Sequence, residues 1–417
     1  MQIDRDNIGF FGKMNSGKSS LMNLLTQQET SIADPTPGTT ADTKIAFQEI
    51  HGLGPVKLYD TAGLDENSLL GTKKKGKVLN ALKECDLVLL VVDPSTSDFS
   101  TENDIIEAVR EFDKQLLVIY NFFGGIDYQF IEKIETILPS IKFYPHTELS
   151  AIDSSYRQPL LNFILNNFES EQQPVDLIPF IERDEFYILN IPMDEETPPG
   201  RYLRPQAMAE EYITRHWAYP VSFRMNLSLA RRGEASLERK RFDDFLNGFK
   251  KRPKAIITDS QAMDIMSKWV PDDILLTTFS IMMINYGSRG RLAEFYNGIK
   301  AVEGLKAGDK ILIAEACNHS RIKEDIGTVQ IPKKIKQLFP GVEVEFSFGR
   351  EFQENRQLHD YKLIIHCGGC MISQQKMQAR LRDLRSVGVP ITNYGIFLSW
   401  IQGQKALERV VEPWFDR

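Results

Sequence analysis

Gly12-Lys13-Met14-Asn15-Ser16-Gly17-Lys18-Ser19 matches G-x-x-x-x-G-K-[ST] at every fixed position. That spacing lets backbone N–H groups and the start of a helix cradle phosphates. Lys18 is placed to reach the β- and γ-phosphates of a nucleoside triphosphate, and Ser19 to hold Mg²⁺. Downstream, Asp60-Thr61-Ala62-Gly63 offers an acid, Asp60, that acts through the metal's shell, and an amide, Gly63, that senses the γ-phosphate. A second constellation sits far along the chain. Cys317-Asn318-His319 and His366-Cys367-Gly368-Gly369-Cys370 place three of the four cysteines in the last quarter. In a compartment where thiols stay reduced, such clustering favours a metal over a disulfide. Thiolates from Cys317, Cys367 and Cys370 suit a 4Fe–4S cluster with one iron left open. With a histidine added they equally suit a structural zinc. His319, His366 and Glu324 are alternative fourth ligands. Cys85, alone beside a strand, reads as core.

The elements that must position these groups show in the apolar runs. Ile8–Phe11, Val56–Tyr59, Leu87–Val92 and Leu116–Tyr120 are continuous apolar strands separated by helical patterns, with a helix expected from about Gly17 to Leu25. This is the signature of a parallel sheet covered on both faces. The segment from Glu169 to Pro179 reads as a linker. Short buried strands resume at Ala255–Ile257, Ile274–Leu276, Lys310–Ile313, Lys362–Ile365 and Val389–Ile391. Several run into Cys317, Cys367 or other polar residues, and open parallel sheets place ligand sites at the carboxyl ends of their strands. The expected fold class is α/β. It comprises a phosphate-loop domain with a mostly parallel sheet over residues 1–170, a small α/β domain over 180–253, and a C-terminal α/β domain with a parallel sheet over 254–417, which carries the metal site.

Composition restricts the function classes. A chain of 417 residues with 42% hydrophobic content is long enough for several globular domains. Its net charge of −7 argues against a dedicated nucleic-acid binder. The sequence has no apolar run of the ~18 residues a bilayer span needs, and Met1-Gln2-Ile3-Asp4-Arg5-Asp6 lacks the apolar core of a signal peptide. A cytoplasmic protein with no membrane partner is expected.

Pro37-Gly38-Thr39-Thr40-Ala41-Asp42 resembles the first switch segment of the TrmE/Era-like GTPases. The resemblance implies that Thr40 contacts Mg²⁺ and that Asn15 helps bind K⁺ beside the phosphates. A K⁺ there would do part of an arginine finger's electrostatic work. The catalytic set is Lys18, Thr40, Asp60 and Gly63. The nucleotide set is Gly12, Asn15, Ser16, Gly17, Lys18, Ser19, Ser20, Thr40, Asp60, Asn121, Ser150 and Ala151. Leu64 stands where Ras-like enzymes carry a water-orienting glutamine, which predicts slow hydrolysis. The guanine-reading Asn-Lys-x-Asp is reduced to Asn121-Phe122-Phe123-Gly124, and Ile152 replaces the lysine of Ser-Ala-Lys. GTP is the leading ligand, with guanine selectivity open. Asp127 replaces the missing acid only if its loop is rebuilt.

Over nearly its whole length the chain resembles the HydF family. The resemblance is carried by Cys-x-His followed by His-Cys-x-x-Cys behind a GTPase domain, Pro198-Pro199-Gly200-Arg201 to Pro205-Gln206, Thr258-Asp259-Ser260-Gln261, Asp325-Ile326-Gly327 and Thr392-Asn393-Tyr394-Gly395. It implies GTP-binding, dimerisation and cluster-binding domains in a homodimer that can pair into a tetramer. It further implies a 4Fe–4S cluster on Cys317, Cys367 and Cys370, with Glu324 as an exchangeable ligand. A diiron subcluster precursor, built by two radical-SAM maturases, would be held here and passed to apo FeFe hydrogenase, with GTP hydrolysis as the switch. Other readings are a nucleotide-regulated iron–sulfur redox sensor and a GTPase with a structural zinc module.

Overall fold

The computed structural model describes residues 5–27, 44–61, 79–170, 175–192, 202–231, 235–316, 325–349 and 358–415. The chain divides into two compact units, residues 2–173 and 174–417.

The first unit holds a six-stranded sheet in the order β2-β3-β1-β4-β5-β6. Its strands are β1 Asp6–Phe11, β2 Lys44–Ile50, β3 Gly54–Asp60, β4 Leu87–Val92, β5 Gln115–Asn121 and β6 His146–Leu149. Only β2 runs antiparallel to its neighbour. Every residue of β1 and β4 is buried. Both strands are covered on both faces by two apolar clusters that share the sheet. The described helices include α1 Lys18–Thr26, α2 Ser100–Glu111, α3 Tyr128–Ile137 and α4 Arg157–Asn167. The sequence-expected strands and first helix are all present. β2 and β6 are additions, being shorter or more polar than the buried runs.

The second unit contains two four-stranded, wholly parallel sheets, β10-β9-β7-β8 and β12-β11-β13-β14. The first comprises β7 Phe186–Pro192, β8 Tyr219–Met225, β9 Ala255–Thr258 and β10 Leu275–Thr278; the second comprises β11 Lys310–Glu315, β12 Glu343–Phe348, β13 Tyr361–His366 and β14 Ile391–Asn393. Residue 254, the expected division, falls inside the first sheet: β7 pairs with β9 from Tyr187↔Ala255 to Asn190↔Thr258. The fully buried Asn190 donates its Nδ2–H to Thr258 Oγ1 at 2.8 Å across that pairing. One apolar cluster runs from Ile188 and Phe223 through Ile256 to Ile313, Ile365 and Phe397, so both sheets share a core. The helices of this unit include α5 Arg204–Arg215, α6 Leu227–Arg231, α7 Ala235–Asn247, α8 Met263–Trp269, α9 Phe279–Gly287, α10 Leu292–Gly298, α11 Ile331–Leu338, α12 Gln374–Val387, α13 Tyr394–Ile401 and α14 Gln404–Phe415. Among the described residues no helix is long and apolar enough to cross a membrane.

Candidate functional site

In the first unit, parallel pairing brings the site together at one sheet edge. β1 and β3 run in register from Asp6↔Val56 to Phe10↔Asp60, so Asp60 ends beside the strand that leads into Gly12. β5 and β6 are in register at Asn121↔Leu149, which delivers Asn121 next to the Ser150-Ala151 turn. The phosphate loop lies between these two sides.

Two glycines are dictated by the loop's path. Gly12 has φ +146°, and a Cβ there would stand 2.3 Å from the Val91 carbonyl oxygen. Gly17 has φ +98°, and a Cβ there would stand 2.0 Å from Asn121 Nδ2. Asn15 adopts φ +62°, a left-handed conformation that asparagine tolerates better than most side chains. Lys18, 6% exposed, curls back over the loop and donates to the Lys13 carbonyl at 2.6 Å and the Gly12 carbonyl at 3.2 Å. Ser19 Oγ donates to Asp60 Oδ2 at 2.5 Å, so the two groups expected on the Mg²⁺ side already meet. Ser16 Oγ is buried and has no hydrogen-bond partner among the described residues, an orphan donor of the kind a phosphate oxygen satisfies.

Asn121 is a strut. Fully buried, it donates its Nδ2–H to the Ser16 carbonyl at 2.9 Å and accepts the Ala151 N–H on Oδ1 at 2.9 Å. One side chain thus ties the phosphate loop to the last motif. Asn121→Ala leaves a buried carbonyl and a buried N–H without partners, at about 1–3 kcal/mol each. The expected result is a lowered melting temperature of the nucleotide domain together with weaker nucleotide binding. A calorimetric trace identical to wild type would remove the strut.

Asp127 is not rebuilt into a base-reading acid. Its carboxylate caps α3, accepting the Gln129 N–H at 3.0 Å. The sequence reading missed Glu102 on α2. It is 2% exposed and accepts the Lys13 backbone N–H, while burial raises its carboxyl pKa. Lys13 also pairs with Asp98 at 2.7 Å, and its hydrogen bond holds that carboxyl down at about 2. A helical apolar period interrupted by an acid at a buried position is the signal that marks Glu102. Thr40 and Gly63 lie outside the described residues.

In the second unit, β11 and β13 pair with Ala314↔His366 in register, and the Cys367 N–H donates to the Ala314 carbonyl at 2.9 Å. Both strands therefore end at one rim. Cys367 Sγ accepts N–H groups from Ala316 at 3.2 Å and Gly369 at 3.4 Å. Ala316 immediately precedes Cys317. Arg204, at the start of α5, donates to the Cys370 carbonyl, and its positive charge pulls that thiol down against the larger upward push of burial. Burial pushes the Cys367 thiol up to about 11. Cys317, His319 and Glu324 lie outside the described residues. Among the described residues no three His, Cys, Asp or Glu side chains converge as a metal site.

His366 is placed as a prop beside the proposed ligands. It is fully buried; its Nδ1–H donates to the Cys367 carbonyl at 2.7 Å and its Nε2 accepts from Arg380 at 2.6 Å. Both ring nitrogens are engaged by protein groups. Arg380, also fully buried, reaches on to the Gly349 carbonyl at 2.9 Å. Burial and the guanidinium keep the imidazole neutral. Asn393 ends β14 beside His366, caps α13 through the Gly395 N–H at 2.8 Å and takes the Ser280 hydroxyl at 3.1 Å. Cys85 is fully buried in the other unit, as expected of a core thiol.

Comparison with known proteins matches three stretches of the chain. Residues 233–287 match the family model described as the hydrogen maturase F dimerization domain, and residues 293–413 match the hydrogen maturase F tetramerization domain. Residues 7–122 match a 50S ribosome-binding GTPase. The chain is 34% identical over 149 residues to the tRNA modification GTPase MnmE of Moorella thermoacetica, covering 35% of this chain and 31% of MnmE. It is 27% identical over 178 residues to GTPase Der of Chloroflexus aggregans, covering 40% and 39%. The chain thus spans about a third of the length of these curated relatives. Among solved structures, Era of Aquifex aeolicus bound to GDP.AlF4- aligns with a TM-score of 0.34 at 18% identity, over 57% of this chain and 99% of that one.

Proposed function

The chain belongs to the HydF family of hydrogenase-maturation GTPases, and from that premise we propose that it is a scaffold and delivery protein for FeFe-hydrogenase assembly. Its nucleotide domain binds and hydrolyses GTP with Mg²⁺. Its C-terminal region holds a 4Fe–4S cluster on Cys317, Cys367 and Cys370, with Glu324 or His319 as the exchangeable ligand. The cargo is a diiron subcluster precursor received from two radical-SAM maturases and passed to apo-hydrogenase. The working form is a homo-oligomer with dimerisation, tetramerisation and GTP-binding parts.

The observation that supports this reading best is the N–H of Ala316 on Cys367 Sγ. It ties the residue before one proposed ligand to the sulfur of another. The donor set suits iron–sulfur chemistry. Amide N–H groups aimed at a sulfur and the nearby Arg204 charge stabilise thiolate, and metal binding displaces the protons that burial otherwise retains. When bound, the cluster supplies an iron with a displaceable ligand for docking the cargo. Around it this chain's own groups hold the loop: His366 fixes the Cys367 carbonyl, Arg380 fixes His366, and Arg204 fixes the Cys370 carbonyl.

Anaerobic reconstitution with iron and sulfide, followed by incubation of the cargo-loaded protein with apo-hydrogenase, tests the proposal. Hydrogen evolution that depends on the loaded protein is the expected result. Stoichiometric zinc with no 4Fe–4S EPR signal on reduction would replace the scaffold by a zinc module.

On the nucleotide side, Ser19 with Asp60 and Thr40 would anchor Mg²⁺, Lys18 neutralise the phosphates, and Asn15 help hold K⁺. With no glutamine after Gly63 to orient water, hydrolysis leans on that cation. Turnover is expected to rise at least about tenfold in K⁺ over Na⁺ at matched ionic strength, since a well-placed charge of this type is worth ~10²–10³ in rate. Equal rates remove the role of Asn15.

A further inference from the structure

Both carboxylates in the two loops that follow β5 and β6 are spent on helix ends. Asp127 accepts the Gln129 N–H at 3.0 Å, and Asp153 accepts the Ser155 N–H at 2.9 Å. Neither loop has another acid between residues 121 and 128 or between 150 and 156. The Mg²⁺ side of the pocket is fixed by Ser19 and Asp60 next to β3, and the phosphate loop follows β1. In the order β3-β1-β4-β5-β6 the base must then lie on the far side, over the β5 and β6 ends. Beside the Asn121–Ala151 hydrogen bond two large apolar side chains face solvent. Phe123 is 47% exposed and Ile152 is 68% exposed, whereas Phe122 is packed into the core. The two flank the Asn121–Ala151 hydrogen bond, Ile152 one residue beyond Ala151 and Phe123 two beyond Asn121. The Phe123 ring edge comes within 3.4 Å of where a Cβ on Gly17 would stand, so it abuts the phosphate loop.

We propose that this pocket holds the base by stacking and apolar contact with Phe123 and Ile152, without reading the guanine edge, so that it takes purine nucleoside triphosphates as a class: GTP, ITP and ATP alike. The inference rests on the nucleotide-binding reading above and deepens it. An aromatic face stacks on any base. A site built to hydrogen-bond one edge rejects an analogue lacking it by ~10⁴–10⁵-fold. Here the acid of each loop caps a helix, and Gly124 stands where the guanine-reading acid would be.

The test is displacement of N-methylanthraniloyl-GDP from the full-length protein in Mg²⁺ by GTP, ITP, ATP and CTP. The three purine triphosphates are expected to compete within about tenfold of one another, with CTP weaker because a smaller ring stacks less. ATP more than about tenfold weaker than GTP overturns the proposal. Phe123→Ala should weaken all three purine nucleotides together by about 5- to 150-fold, and Phe123→Trp should restore them. An unchanged affinity, or a loss confined to GTP, overturns it. Gly124→Asp restores the acid of the guanine-reading motif at a position where a Cβ meets nothing within 4 Å. It should raise the GTP-to-ATP preference by at least about tenfold; an unchanged ratio means the base does not lie over this slot. Failure of every nucleotide, GTP included, to displace the probe would instead strike the nucleotide site itself, so the two failures are told apart.

Discussion

Lys18→Ala is expected to reduce GTP hydrolysis by about 100- to 1,000-fold, the usual cost of removing one preorganised charge from a phosphoryl-transfer site. The lysine is held in place before any nucleotide arrives. It is 6% exposed and donates to the carbonyls of Gly12 and Lys13, the two residues that open the loop. Its ammonium therefore moves little on meeting a β- or γ-phosphate, and the rate benefit of preorganisation is available in full. Phosphate release measured at saturating nucleotide reads the loss directly. A melting curve on the same variant separates lost catalysis from a collapsed loop, since the variant also leaves the Gly12 and Lys13 carbonyls without the lysine's hydrogen bonds. Wild-type turnover in this variant would end the phosphate-loop reading.

Cys367→Ser carries the second large effect. Its sulfur takes amide donors from two directions, Ala316 and Gly369. Serine keeps the size and loses the thiolate, so the reconstituted protein should lose essentially all of its 4Fe–4S EPR signal and most of its bound iron, and hydrogenase activation should fall to the unloaded background. The matched control is Cys85→Ser. That thiol is fully buried in the other unit and gives its S–H to the Ala81 carbonyl at 3.2 Å. Iron content should be unchanged there. A full cluster signal in Cys367→Ser, or equal losses in both variants, would move the site elsewhere.

Much of this was legible from spacing alone. The phosphate loop sits between a strand and a helix because Phe11 ends a fully buried strand and Lys18 begins α1. Continuous apolar runs exposed the central strands for the same reason, since a parallel strand covered on both faces has no polar side to show. The strands that escaped are edges. β12, Glu-Val-Glu-Phe-Ser-Phe, has one exposed flank and mixes charge into its pattern, and β2 is similarly polar. His366 shows the limit of proximity in sequence. A histidine beside a cysteine pair looks like a ligand, yet its partners are a guanidinium from another helix and the next residue's carbonyl. Spacing cannot separate the two roles, because the deciding contact is long-range. Asp127, weighed in the sequence only as a substitute base-reading acid, carried a local signal for the role it has: an acid just before a helix is a cap by default.

The sheet that joins β7 and β8 to β9 and β10 carries a practical and evolutionary consequence. Cutting the chain at residue 254 would unzip the β7–β9 ladder and expose a raw hydrogen-bonding edge on each fragment. It would also strand the buried Asn190 amide away from Thr258. Fragments made at that point should aggregate, and recombination there would yield broken offspring. The stretch from 174 to 417 is thus a single heritable cassette, and a graft onto another nucleotide-binding domain would have to transplant it whole.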